Sequence, residues 1–154
     1  MTSTQVSTQY NTGHIGLNVS NLARSKRFYQ DVFDFDLAGE SNESGRAFAF
    51  LAQNNMVVLT LWQQCDGSFA ADRPGLHHLA FQVQSIDQVK DAEARLRKLG
   101  VTIHYDGVTA HAEGADSGGV YFDDPDGIRL EIFAPSGAGQ SPAPKSGAPA
   151  CGLF

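Results

Sequence analysis

Gly13-His14-Ile15-Gly16-Leu17-Asn18-Val19 returns, 64 positions later, as His77-His78-Leu79-Ala80-Phe81-Gln82-Val83. Both stretches place a His before alternating apolar and small or polar residues, the period of a half-buried strand. Each runs into a helix-like segment, and each half closes on a second strand, Val58-Leu59-Thr60-Leu61-Trp62 or Arg129-Leu130-Glu131-Ile132-Phe133. Aligning Thr60 with Glu131 gives an offset of 71, and the seven extra residues fit the longer connection from Gly107 to Gly119. A unit written twice in one small domain predicts an α+β fold of paired βαβββ modules, related by a pseudo-twofold axis.

The intervening residues fit that plan. Ser20-Asn21 offers an N-cap, after which Leu22, Ser25, Phe28, Tyr29, Val32 and Phe33 recur at helical spacing. Strands are expected at about Phe35 to Glu40, Arg46 to Leu51 and Met56 to Trp62, the last two joined by the turn Gln53-Asn54-Asn55. In the second half Ser85-Ile86-Asp87-Gln88 is a capping-box pattern, and Gly100 is suited to the position after the helix. Val101 to Tyr105, Val120 to Phe122 and Ile128 to Phe133 read as strands, with Asp124-Pro125-Asp126-Gly127 as a turn.

The chain of 154 residues has the length of one domain and enough apolar residues, 42%, to build one core. We expect a polar arm over 1–12, a single domain over 13–135 with modules at about 13–66 and 75–135, and a flexible tail over 136–154. That tail is dominated by Pro, Gly, Ala and Ser, which bury too little apolar surface to offset ordering entropy. Its last residues, Leu153-Phe154, are the part suited to dock in a groove or on a partner subunit. A net charge of −6 without any Lys/Arg cluster argues against nucleic acid and membrane surfaces as partners. No stretch approaches the ~20 apolar residues of a spanning helix, and no secretory leader is legible. Two cysteines, Cys65 and Cys151, are too few for a disulfide framework, which predicts a cytoplasmic protein.

Period two puts His14, Gly16 and Asn18 on one face of the first strand, and His78, Ala80 and Gln82 on the matching face of its counterpart. Thr60 and Trp62 pair by position with Glu131 and Phe133. The opposite alternation is apolar throughout and must lie under the helices. The His/Glu face is therefore expected to form a cup in which His14, His78 and Glu131 converge on one divalent metal ion. Two imidazoles and one carboxylate with open positions suit non-haem Fe(II), and a His₂Glu set also serves catalytic zinc. Asn18 and Gln82 are the expected polar groups of the pocket, Trp62 and Phe133 its walls. Taken singly, a strand-start His or a strand-end Glu is more often a satisfied polar residue or a surface carboxylate. Their shared alternation within a repeat is what singles them out.

These segments resemble the vicinal oxygen chelate superfamily, which includes glyoxalase I, extradiol ring-cleaving dioxygenases, methylmalonyl-CoA epimerase and the fosfomycin and bleomycin resistance proteins. The residues that carry the resemblance are His14 to Val19 with Ser25 to Tyr29, Gly75 to Phe81, and Tyr121 to Glu131. It implies paired modules, a divalent ion (Fe(II) favoured, with Mn, Zn or Ni as alternatives), a small substrate with adjacent oxygens, and a homodimer. Glyoxalases and epimerases usually carry a fourth ligand, Glu or Gln, where this chain has Thr60, so Thr60 is assigned to the substrate pocket instead. The run from His111 to Tyr121 and Glu131 nearly matches the extradiol dioxygenase signature, with one residue too many before the Val-Tyr pair. On that resemblance His111 and Tyr121 are expected to be catalytic groups. The expected activity is extradiol-type cleavage of an aromatic or enediol substrate. The alternatives are a glyoxalase-type lyase or isomerase, and a non-catalytic drug-binding protein.

Overall fold

A computed structural model describes residues 7–145 and 147–152. The first module contains β1 (Ile15–Asn18), α1 (Leu22–Phe33), β2 (Asp36–Ser41), β3 (Phe48–Gln53) and β4 (Met56–Trp62). The second repeats it as β5 (Leu79–Gln82), α2 (Ile86–Lys98), β6 (Ile103–Ala110), β7 (Gly118–Asp123) and β8 (Arg129–Ala134). The sheets have orders β1-β4-β3-β2 and β5-β8-β7-β6, the α+β arrangement expected from the repeat.

Register shows how deep the repeat runs. In the first sheet Thr60 lies between Gly16 of the parallel β1 and Phe50 of the antiparallel β3. In the second, Glu131 lies between Ala80 of β5 and Tyr121 of β7. The ladders match residue for residue, so Thr60 and Glu131 occupy one structural position in two modules.

Local chemistry sets the element ends. The Asn21 side chain accepts from the Arg24 N–H to start α1, and Asp34 at φ 59 ends it in the left-handed region. The capping box at Ser85 and Gln88 opens α2. Asn54 and Asn55, at φ 51 and 62, turn the β3–β4 hairpin, a conformation that Asn tolerates better than most residues. The strand expected to end at Tyr105 continues instead to Ala110, with a register shift between His104 and Thr109. The irregular segment is therefore shorter than expected, and His111 directly follows the strand.

Both modules share one core. Leu17, Val19, Leu59 and Leu61 of the first sheet join Val120, Phe122, Leu130 and Ile132 of the second in a single apolar cluster. Helix α1 serves both: Phe33 lies on Phe81 with ring centroids 4.5 Å apart, and Phe28 packs near Phe122 at 6.4 Å. Polar contacts lock the pair. Asp126 accepts from the Ser20 N–H at 3.0 Å and from Arg24 Nη2 at 2.6 Å. Tyr29 donates to Asp124 at 2.9 Å, and Arg95 Nη1 donates to the Val32 carbonyl at 3.0 Å. Since the apolar alternations of both sheets feed this common core, the opposite alternations point away from it. Gly16, Asn18, Ala80 and Gln82 are all exposed there. No described helix is long and apolar enough to cross a membrane.

Candidate functional site

Glu131 is the centre of a polar cluster on the outer face of the second sheet. It is 3% exposed, an expensive place for a carboxylate unless its oxygens are engaged. Its Oε1 lies 2.6 Å from His111 Nε2, and its Oε2 lies 3.4 Å from His78 Nε2. One carboxylate thus spans two imidazoles that stand 33 residues apart in sequence.

Each imidazole is oriented from behind. His111 Nδ1 lies 2.8 Å from Ser117 Oγ, and its backbone N–H donates to the Ser117 carbonyl at 3.0 Å, closing the connection between β6 and β7. An ionised Glu131 can only accept, so His111 Nε2 donates to it, while Nδ1 and Ser117 Oγ share a hydrogen bond. His78 stands just before β5, its Nδ1 2.8 Å from His77 Nδ1, so one of the two rings donates and the other accepts. Tyr121 sits directly across the ladder from Glu131 and is fully buried. Burial, and then the negative charge of Glu131, push its phenol far above the ordinary tyrosine range. Tyr121 therefore keeps its proton at any working pH.

The other expected site residues divide between the sheets. His14 is exposed immediately before β1 on the first sheet, without a hydrogen bond or ion pair to His78 or Glu131. Sequence reasoning expected these three to converge; one chain brings together His78 and Glu131, joined by His111 and Tyr121, and leaves His14 apart. The physical reason is the shared core, which turns the two outer faces away from each other. Among the described residues no group of three or more His, Cys, Asp and Glu side chains is arranged to hold a metal ion. Thr60 is buried and accepts from Trp62 Nε1 at 3.1 Å, so its hydroxyl is engaged within the first sheet. Trp62 packs tilted on Phe48 and edge-on to Phe50, with ring centroids 5.4 and 5.9 Å away. The Asn18 side chain accepts from the Gln64 N–H at 2.9 Å. Gln82 is exposed on β5, while Phe133 is half-buried beside His111 at 5.4 Å.

The His78–Glu131 pair fits a metal ion. Two donor atoms 3.4 Å apart are spaced as neighbouring ligands on an ion with bonds of about 2.1 Å. Ser117 went unnoticed in the sequence because it sits in an aperiodic Gly-rich connection. Its one signal is its distance of six residues from His111, which a tight loop can close.

Residues 11–132 match the model of a family described as the Glyoxalase/Bleomycin resistance protein/Dioxygenase superfamily. The chain is 34% identical over 131 residues to the uncharacterized protein YaeR of Escherichia coli, covering 78% of this chain and 92% of that protein. It is 28% identical to the catechol-2,3-dioxygenase of Bacillus subtilis, over 79% of this chain and 40% of that longer relative. Among solved structures, a glyoxylase/bleomycin resistance protein/dioxygenase domain from Frankia sp. superposes with TM-score 0.69 at 26% identity, covering 82% of this chain and 98% of that one. The fosfomycin resistance protein FosX of Listeria monocytogenes, solved with Mn(II) and sulfate, shares the fold at TM-score 0.64 and 20% identity, covering 86% and 98%.

Proposed function

The chain belongs to the Glyoxalase/Bleomycin resistance protein/Dioxygenase superfamily, and we propose that it is a cytoplasmic metal-dependent enzyme that cleaves a small aromatic diol or enediol with O₂. The observation that carries the reading is the cluster of His78, His111 and Tyr121 around the buried Glu131. Kinship with a catechol-2,3-dioxygenase favours O₂ chemistry, and the FosX structure with Mn(II) supports a divalent ion in this fold.

Glu131 and His78 of one chain would hold the ion, Fe(II) in our reading, with His14 of a second copy as the third ligand. When bound, the ion supplies Lewis acidity toward a substrate with adjacent oxygens. The chain's own residues do the rest. His111 donates from Nε2 to one Glu131 oxygen and so fixes which oxygen faces His78. Tyr121, locked in its protonated form, is a hydrogen-bond donor toward developing negative charge. Phe133 bounds the apolar side, and Gln82 supplies a polar contact at the exposed edge.

The second copy is argued from the first sheet. Phe48, Phe50 and Trp62 cluster there on an outer face that this chain leaves half-exposed. A twofold dimer in which that face covers the partner's second sheet would deliver each His14 to the other chain's His78 and Glu131. Thr60, its hydroxyl turned to Trp62, leaves the centre with three protein ligands, which favours O₂ chemistry over a four-ligand isomerase site.

Anaerobic reconstitution with Fe(II), followed by oxygen-electrode assays on a panel of catechols, tests the reading. We expect substrate-dependent O₂ uptake, with Tyr121→Phe slowing turnover about 10–100-fold. An Fe(II)-loaded protein that takes up no O₂ with any diol would contradict the dioxygenase assignment and move the chemistry to a lyase or isomerase.

A further inference from the structure

The second sheet is covered where the first is bare. Tyr121 is fully buried, while its repeat counterpart Phe50 is only half-buried. The chain's own C-terminal segment is anchored on this sheet and on Tyr105, whose ring stands against Tyr121. The Ala138 N–H donates to the Asp116 carbonyl at 2.7 Å, and the Pro142 carbonyl accepts from the Ala110 N–H at 2.8 Å at the end of edge strand β6. Gly118 makes room for the first anchor, since a Cβ there would lie 2.6 Å from the Ala138 Cβ. Farther on, a single 3-10 turn (Ala150–Gly152) sets down on the sheet. Its Ala150 N–H donates to the His111 carbonyl at 2.7 Å, and the Ala150 carbonyl accepts from Tyr105 Oη at 2.6 Å. Ala138 and Ala150 are both fully buried.

We infer that residues 138–145 and 147–152 form a strap that walls the β6–β7 side of the Glu131 cluster, and that Tyr105 is its clamp. Tyr105 joins the two structures: its hydroxyl holds Ala150, and its ring stands edge-on to Tyr121 with centroids 5.5 Å apart. Its backbone is in the left-handed region at φ 56, which a bulky residue adopts only when its surroundings enforce it. The His111 carbonyl that holds the strap belongs to the residue whose side chain holds Glu131. Strap and carboxylate are thus tied to one residue. On the β5 side Ala80 and Gln82 are exposed, so the strap would limit how far a ligand held at Glu131 extends toward β6 and leave the β5 side open.

The strap rests on contacts of the chain with itself, so it stands or falls apart from the metal reading, which oxygen uptake tests. The experiment is nitration by tetranitromethane, mapped at Tyr121 by mass spectrometry, together with hydrogen exchange. It uses the full chain, Tyr105→Phe, and a chain ending at Lys145. In the full chain Tyr121 should resist nitration and the Ala150 amide should be protected. In Tyr105→Phe the Ala150 amide should exchange about tenfold faster, and in the shortened chain Tyr121 should be nitrated about tenfold faster, with α2 protection unchanged in both. Tyr121 equally protected in the shortened chain, or an Ala150 amide that exchanges freely in the full chain, would overturn the strap.

Discussion

Glu131→Gln should lower the affinity for a divalent ion by about 100-fold or more and remove metal-dependent turnover, while leaving the fold at least as stable. The shape of the side chain is kept, and His111 Nε2 can still donate to an amide oxygen 2.6 Å away. What goes is the charge and one metal-binding oxygen. In the metal-free protein that carboxylate is nearly buried, so the amide removes a desolvation cost while keeping the His111 hydrogen bond. Titration calorimetry with Mn(II) measures the loss of affinity. Unchanged metal affinity would remove Glu131 from the centre.

Asp124→Ala should have the largest effect on stability, a loss of about 3 kcal/mol. The Asp124 carboxylate is buried and accepts from the Asp126 and Ile128 N–H groups, both at 2.8 Å, and from Tyr29 Oη at 2.9 Å. Alanine strands three donors and unties α1 from the second module. Asp124→Asn keeps an acceptor for the turn and should cost much less. The pH dependence has a definite sign. Burial raises the Asp124 carboxyl above its ordinary value, against the lowering effect of its hydrogen bonds. A raised acid favours folding most when protonated. Its contribution is thus complete below the ordinary carboxylate range and is lost as pH rises through the raised value. The stability advantage of wild type over Asp124→Asn should shrink across that window, as urea unfolding at a series of pH values would show.

Much of this was legible in the residues. Strand period and caps located the elements, and the offset between Thr60 and Glu131 gave the register: Gly16–Thr60–Phe50 and Ala80–Glu131–Tyr121 are the same ladder. These are local signals, written within a few residues of where they act. How the modules sit on one another was not legible. That depends on Phe28 and Phe33 meeting Phe122 and Phe81, and on Asp126 reaching back to Ser20 and Arg24, across about a hundred positions. No periodicity records such pairings, so period alone could not tell how His14 would sit relative to Glu131. The tail was opaque for another reason. Its anchors are backbone groups of Ala138, Pro142 and Ala150, and composition says nothing about backbone partners. Leu153 and Phe154, the expected docking residues, lie outside the described residues.

Complementation between variants decides whether the proposed metal centre is built from His78 and Glu131 of one chain and His14 of another. His14→Ala and Glu131→Ala each break every site of their own dimer. When the two variants are mixed and allowed to exchange subunits, a mixed dimer contains one intact site, with His14 from one chain and His78 with Glu131 from the other. Metal, absent from each variant alone, should return to about a quarter of wild-type content in the mixture, as random pairing of a twofold dimer requires. A mixture that exchanges subunits and still binds no metal would contradict it.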